Sequence, residues 1–463
     1  MTSDIKGGDQ GASVSGRNVD IVDAIDRNPL SPMQWRVIVL CFLVALVDGF
    51  DTQVIGYVAP GIAREFEIDA TAMGFGFSAG LFGLMIGAAA LSAAADRIGR
   101  KPAIVLSCAL MGIFSLLTAF APSFELFLFG RFLTGVGLGG ALPVINAITA
   151  EYVPARRRAM FMTVMFSGVP IGAMLAGLLA NALMETVSWR EIFLIGSLLP
   201  ILVGLAVAAK LPESMHFLAA FPKRRPELIR TFAKIDRAYT PTASDRFIVN
   251  EVSATRGSLL ELFRQGRAKT TLLLWTIFTS NLFMVYAIVS WLPSIMSAAG
   301  TPLRLAVFST ILFNLGGITL GLLLARFSDR WGVMRVAPWA FAGAAVSIAS
   351  VGLEISSPLS AFAIIGMVGG FVGGAQFSIH LLAVSLYPSS IRSLGLGAAL
   401  SVGRIGGILG PLLMGAAISI GWSNEILFAL AAFPALIGLL AMLALSRHTH
   451  GELGSARQQG GPS

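Results

Sequence analysis

Val37-Ile-Val-Leu-Cys-Phe-Leu-Val-Ala-Leu-Val-Asp48-Gly-Phe-Asp51-Thr-Gln-Val-Ile-Gly-Tyr57 decides the fold of this chain. Flanked by Arg36 and Pro60, it has the length and apolarity of a membrane-crossing helix, which needs about 20 such residues. Asp48 and Asp51 interrupt it. A carboxylate at the centre of a bilayer costs roughly 2.5–3.5 kcal/mol even on the gentlest insertion scale. Residues three apart share a helix face, so both aspartates are expected to look into a bundle interior or a wet cavity. A structural ion pair between helices is one reading; a proton or substrate site inside a transporter is the sharper one.

The rest of the chain repeats the pattern. Of 463 residues 55% are hydrophobic and only 13% charged, against about 25% charged in soluble domains. Apolar runs lie near 36–58, 72–94, 102–121, 125–152, 159–182 and 190–209, then 270–297, 303–325, 337–354, 359–386, 394–419 and 424–446. The expected fold is an all-α membrane protein with 12 transmembrane helices in two pseudo-symmetric six-helix bundles. The bundles span 36–210 and 269–446. Residues 1–35, polar and without a signal-peptide pattern, are expected to be a disordered cytoplasmic tail. Residues 211–268 are expected to be a cytoplasmic linker with short helices near 226–238 and 257–266, and 447–463 a second tail.

Charge sets the expected orientation. With both termini cytoplasmic, 28 of the 33 lysines and arginines fall on the cytoplasmic side, a positive-inside pattern. Arg64, Arg190 and Arg304 face outside, and Arg131 and Arg404 lie within spans. The net charge of +8 is thereby explained without nucleic acid. Cys41 and Cys108 read as small buried hydrophobes, with no disulfide framework implied. No nucleophile–base set, metal cluster or phosphate loop appears, which argues against an enzyme. No cofactor is called for beyond the proton.

The halves align at an offset of about 233 residues. Ala95-Asp96-Arg97-Ile98-Gly99-Arg100-Lys101 matches Ser328-Asp329-Arg330-Trp331-Gly332, and Tyr152-Val153-Pro154 matches Leu386-Tyr387-Pro388. Pro60 matches Pro293, and Phe50 matches Phe283. Repeated six-helix halves place a binding site near the midplane between them. The exchanges are as informative: Asn281 and Met284 stand where the first half has Asp48 and Asp51, and Arg404 stands opposite Pro170.

The 95–101 loop and its echo resemble the signature loop of the major facilitator superfamily, over essentially the whole chain. Ser92 and Ala325 stand where the family pattern has glycine. The resemblance implies a gate latch built from Asp96, Arg97, Arg100, Glu151, Asp329 and Arg330, with the aspartate at a helix N-terminus and arginines pairing across the halves. Asp48-Gly-Phe-Asp51, the run Gly130-Arg131-Phe-Leu-Thr-Gly135-Val-Gly137-Leu-Gly139, Glu151-Tyr152 and Gly403-Arg404 resemble the aromatic acid:proton symporters. This implies import of benzoate, hydroxybenzoate or phenoxyacetate-type acids driven by protons across the cell (inner) membrane, by a unit that works as a monomer.

At about 1.5 Å rise per residue, Asp48 lies roughly 18 Å and Asp51 roughly 22 Å from the cytoplasmic edge, while Arg131 lies roughly 9 Å below the outer one. In a core about 30 Å thick, Asp51 and Arg131 therefore share a level, as do Asp48 and Arg404. Asp48 and Asp51 are the candidate proton-coupling groups. A carboxylate substrate calls for a guanidinium that binds it bidentately, so Arg404 is the first candidate and Arg131 the second. Phe50, Tyr286 and Trp291 are candidates for ring contacts. Asn281, Asn314, Gln376 and Ser290 are candidates for ring substituents, and His380 for substrate or proton relay. Two other readings stay open: a proton symporter for another organic anion, and a proton-driven exporter of lipophilic compounds.

Overall fold

In the computed structural model the described residues are 18–183, 186–236, 239, 245–248, 259–354, 358–388 and 391–459. A short strand β1 (Asn18–Asp20) and helix α1 (Ile21–Arg27) precede the first bundle. That bundle comprises α2 (Pro32–Glu65), α3 (Ala70–Ile98), α4 (Arg100–Ala119), α5 (Phe124–Tyr152), the two-part α6 (Arg158–Phe166) and α7 (Gly168–Leu183), and α8 (Trp189–Lys210). The linker holds α9 (Met215–Ala220), α10 (Arg225–Phe232) and strand β2 (Arg246–Ile248). The second bundle is α11 (Ala268–Ala298), α12 (Leu303–Trp331), α13 (Val333–Glu354), α14 (Pro358–Leu386), α15 (Arg392–Ser419) and α16 (Asn424–Gln459). Among the described residues 12 helical segments are long and apolar enough to cross a membrane, α6 and α7 together forming one of them. They coincide with the runs read from the sequence.

The ends differ from expectation. Instead of a disordered tail up to residue 35, the chain is ordered from Asn18: β1 pairs in parallel with β2, Asn18 opposite Arg246 and Asp20 opposite Ile248. Asp20 then caps α1 through Val22 N (2.9 Å). The cause is a small apolar cluster that composition alone hides, in which Ile21 and Ile25 bury with Phe232, Tyr239 and Leu228 of the linker. Ser31 and Gln34 form a reciprocal cap at the start of α2, satisfying N–H groups that have no helical partner. At the other end α16 continues past residue 446 to Gln459.

Close packing within each half rests on glycine. A Cβ at Gly83 of α3 would collide with the Phe132 carbonyl of α5, and in the second half Gly369 of α14 meets the Phe313 carbonyl of α12 in the same way. Without a hydrophobic drive between helices in lipid, such backbone approach is what joins them. The signature loop has its own glycine requirement: Gly99 and its repeat mate Gly332 both adopt positive φ, 104° and 88°, a region open to glycine at no steric cost.

Among the described residues, several contacts between the halves gather at one end. Thr71 N donates to Ser419 Oγ (2.8 Å), and Ser78 Oγ donates to the Ile408 carbonyl (2.8 Å). Phe77 packs edge-on against Trp291 at 5.1 Å. These contacts lie toward the face opposite the chain termini, where α2 turns into α3. Nearer the middle Arg404 donates to the Leu84 carbonyl (3.1 Å). Below that level two cavities lie between the halves.

Candidate functional site

Two spaces of about 260 Å³ each meet between the halves and share Pro170, Tyr286, Phe313 and Asn314. The first is lined by Asp48, Thr52 and Gln53 from α2 and by Arg404 from α15. Its remaining wall is largely apolar, including Leu81, Leu142, Val169 and Val285. The second adds Gln376 and Phe377 from α14. The result is an apolar slot with a few polar groups, the usual form of a small-molecule site.

The two aspartates of α2 have different surroundings. Asp51 is 5% exposed and closed off: Arg131 Nη1 donates to Oδ2 (3.0 Å), Ser115 Oγ donates to Oδ1 (3.1 Å), and Arg131 Nη2 reaches the Asp51 carbonyl (3.4 Å). The Arg131 guanidinium also lies over the Phe193 ring at 5.6 Å. All these partners belong to the first half. Asp48, 3% exposed, faces the cavity instead, and its Oδ2 has no hydrogen-bond partner among the described residues. Arg404 faces the same cavity from the second half and spends one donor on the Leu84 carbonyl. A guanidinium carries five N–H donors, so Arg404 keeps capacity to bind an anion. Its carbonyl contact fixes one edge of the fork across the interface.

The other sequence candidates divide along the same line. Tyr286, Asn314 and Gln376 line the cavity, Gln376 with a buried and unpartnered Oε1. Asn314 Nδ2 bonds back along its own helix to the Thr310 carbonyl (2.9 Å). Asn281 is fully buried and its Nδ2 donates to the carbonyl of Val372 (3.2 Å), a residue of the second space's wall, tying α11 to α14. Phe50 packs in the first half against Gly196. Trp291 donates to the Pro411 carbonyl (2.9 Å) at the closed end. His380 Nδ1–H donates to the Gln376 carbonyl (2.7 Å), and its ring sits edge-on to Phe278 at 5.4 Å. In this geometry Asn281, Phe50, Trp291 and His380 hold helices together, and Arg131 holds Asp51. Sequence reasoning missed Thr52 and Gln53, although Thr52 follows Asp48 at the i+4 spacing that puts it on the same face.

The expected gate is built differently from its expectation. Arg100 forms an ion pair with Glu151, which also accepts from Ser214 Oγ (2.5 Å), and all three lie in the first half and its linker. The carboxylate at the N-terminus of α4 belongs to Glu213, which accepts from Arg100 N (2.8 Å) and Lys101 N (3.1 Å). Asp96 and Arg97 are exposed on the last turn of α3, so Asp96 does not take the helix-terminal place expected of it. Arg330 is exposed as well, and the Asp329 side chain lies outside the described set. The Arg100–Glu151 pair lies within the first half.

A twelve-helix chain in two repeated halves, with a largely apolar slot between them that carries a few polar groups, has the form of a polytopic membrane transporter. The chain belongs to the Major Facilitator Superfamily, whose model matches residues 41–318 and 308–462. It is 34% identical to a gallate transporter of Pseudomonas putida over 429 residues, 92% of this chain and 95% of that protein. It is 31% identical to a 4-hydroxybenzoate transporter of Pseudomonas aeruginosa (94% of this chain, 98% of that one) and 30% identical to a benzoate transport protein of Acinetobacter baylyi (93% of each). Its fold matches a solved D-xylose–proton symporter with a TM-score of 0.71 at 17% identity, over 89% of this chain and 97% of that one. These relatives place it among the aromatic-acid transporters of the superfamily, a multi-pass protein of the bacterial inner membrane.

Proposed function

We propose that this protein is a proton-coupled symporter that imports aromatic carboxylic acids of the benzoate or hydroxybenzoate class by alternating access. One observation carries the reading: Asp48, with one carboxylate oxygen unpartnered among the described residues, and Arg404, with its guanidinium incompletely used, line the same cavity from opposite halves. Deprotonated, Asp48 competes with a substrate carboxylate for Arg404. Protonated, it leaves Arg404 free to bind the anion bidentately. One proton with one monoanion makes a neutral load, and a neutral load lowers the cost of closing the halves around it. The positive-inside charge pattern supports cytoplasmic termini. The apolar walls favour a ring over a sugar, and a buried arginine favours an anion over a neutral lipophile.

The test is uptake of labelled gallate, 4-hydroxybenzoate and benzoate into proteoliposomes, with and without an imposed pH gradient. Accumulation of at least one acid that requires the gradient and collapses with an uncoupler is expected. Accumulation indifferent to the gradient would overturn proton coupling; transport of none of these acids would overturn the substrate class.

A further inference from the structure

Beside the main cavity, and sharing Thr52, Leu81, Leu84 and Tyr286 with it, lies a small space of about 20 Å³ also lined by Phe77, Gly80, Arg131 and Ser290. A buried water needs roughly 10–15 Å³ and two to four polar partners. The volume is sufficient, and polar side chains stand in the wall. Arg131 Nε, in a side chain 3% exposed, and Thr52 Oγ1 are buried without a hydrogen-bond partner among the described residues. Ser290, 7% exposed, brings a hydroxyl from the opposite half. Leaving two such polar groups unsatisfied costs about 1–3 kcal/mol each, and one water oxygen and its two protons satisfy them together.

We infer that this annex is a built site for a single water, held by Arg131 Nε–H, Thr52 Oγ1 and Ser290 Oγ, and that it is the port through which protons reach Asp48 from the closed face. Thr52 stands one helical turn above Asp48 and lines both spaces. Its hydroxyl accepts from the annex water and donates onward. The two walls of the annex belong to different halves, so separating the halves at this end opens it to bulk water. The step is a plain proton transfer: a hydronium ion outside gives a proton to the annex water, that water passes one of its own to the cavity side, and the Asp48 carboxylate becomes a carboxylic acid as hydronium becomes water. The charged or titratable groups around the route are Asp48 and Asp51 on α2, Arg131 on α5, Tyr286 on α11 and Arg404 on α15. Arg131, neutralised by Asp51, orients the water without repelling the incoming proton strongly. This port rests on the proton-coupled reading above.

The experiment compares two rates in proteoliposomes: accumulation of labelled 4-hydroxybenzoate driven by a pH gradient, and exchange of labelled for unlabelled substrate with no gradient, which needs no net proton movement. Ser290→Ala is expected to lower gradient-driven accumulation at least fivefold while exchange stays within twofold of the parent. Thr52→Val is expected to lower the ratio of accumulation to exchange further, and Thr52→Ser to restore it. A water within hydrogen-bonding distance of Arg131 Nε and Thr52 Oγ1 is expected in a high-resolution structure of the closed-face state. Unchanged accumulation in both Ser290→Ala and Thr52→Val, a parallel fall in both rates, or a dry annex would overturn the port. Failure of the parent protein to accumulate substrate on a gradient would instead overturn the coupling on which it rests.

Discussion

Asp48 and Asp51 stand one helical turn apart on α2, and each has an arginine at its own depth, yet the two pairs are opposites. Asp51 and Arg131 are closed within one half at 3.0 Å, with Ser115 completing the carboxylate. Asp48 and Arg404 belong to different halves and face each other across a cavity, with Asp48 Oδ2 unpartnered. A pair inside a rigid body cannot report on the movement of that body against another. A pair split between two bodies must change as they rock, and it has room for a third party. Under the proposed mechanism the same two residue types serve structure in one place and coupling in the other.

That contrast can be broken most directly at Asp48. Asp48→Asn is expected to reduce gradient-driven accumulation by more than a hundredfold while substrate exchange persists, measured with the proteoliposome assay; loss of exchange as well would make Asp48 a structural residue like its neighbour. Asp51→Asn is expected to act on stability, because an unpaired buried guanidinium costs roughly 3–5 kcal/mol. Its melting temperature in detergent should fall, and Asp51→Asn combined with Arg131→Met should recover much of the loss. Independent, additive effects of the two changes would dissolve the pair.

Arg404→Lys should be milder than Asp48→Asn, with about tenfold weaker substrate binding by scintillation proximity or calorimetry, because an ammonium lacks the guanidinium's planar fork. Full retention of affinity would remove Arg404 from carboxylate recognition. The smallest effect is expected from Glu151→Gln. It weakens the Arg100 pair and should change the transport rate a few-fold with no change in affinity.

Much of this was legible in the chain. Span lengths, the repeat and the positive-inside charges all follow from solvation, since each residue's cost in lipid depends on its own type. Depth counting brought Asp51 level with Arg131, because rise per residue in a helix is constant. The same arithmetic set Asp48 level with Arg404 but could not say which pair was closed. Rotation about the helix axis and the distance between halves do not follow from depth. For the same reason Asn281, Trp291 and His380 seemed candidates for substrate: a polar group in a span must find a partner, and only the packing shows whether that partner is a neighbouring carbonyl, as for Asn281 and Val372. Glu213 went unnoticed because it lies 112 residues from the Lys101 amide that it caps.

The sequence by itself determined that this chain crosses a membrane twelve times, that it is built from two copies of one plan, and that the first copy carries two carboxylates the second lacks. Those properties are sums over local chemistry. The tertiary structure alone decided which carboxylate is free, because freedom is a relation between a side chain and everything folded around it. Arg131 closes over Asp51 from the same bundle, and among the described residues no hydrogen-bond donor reaches Asp48 Oδ2.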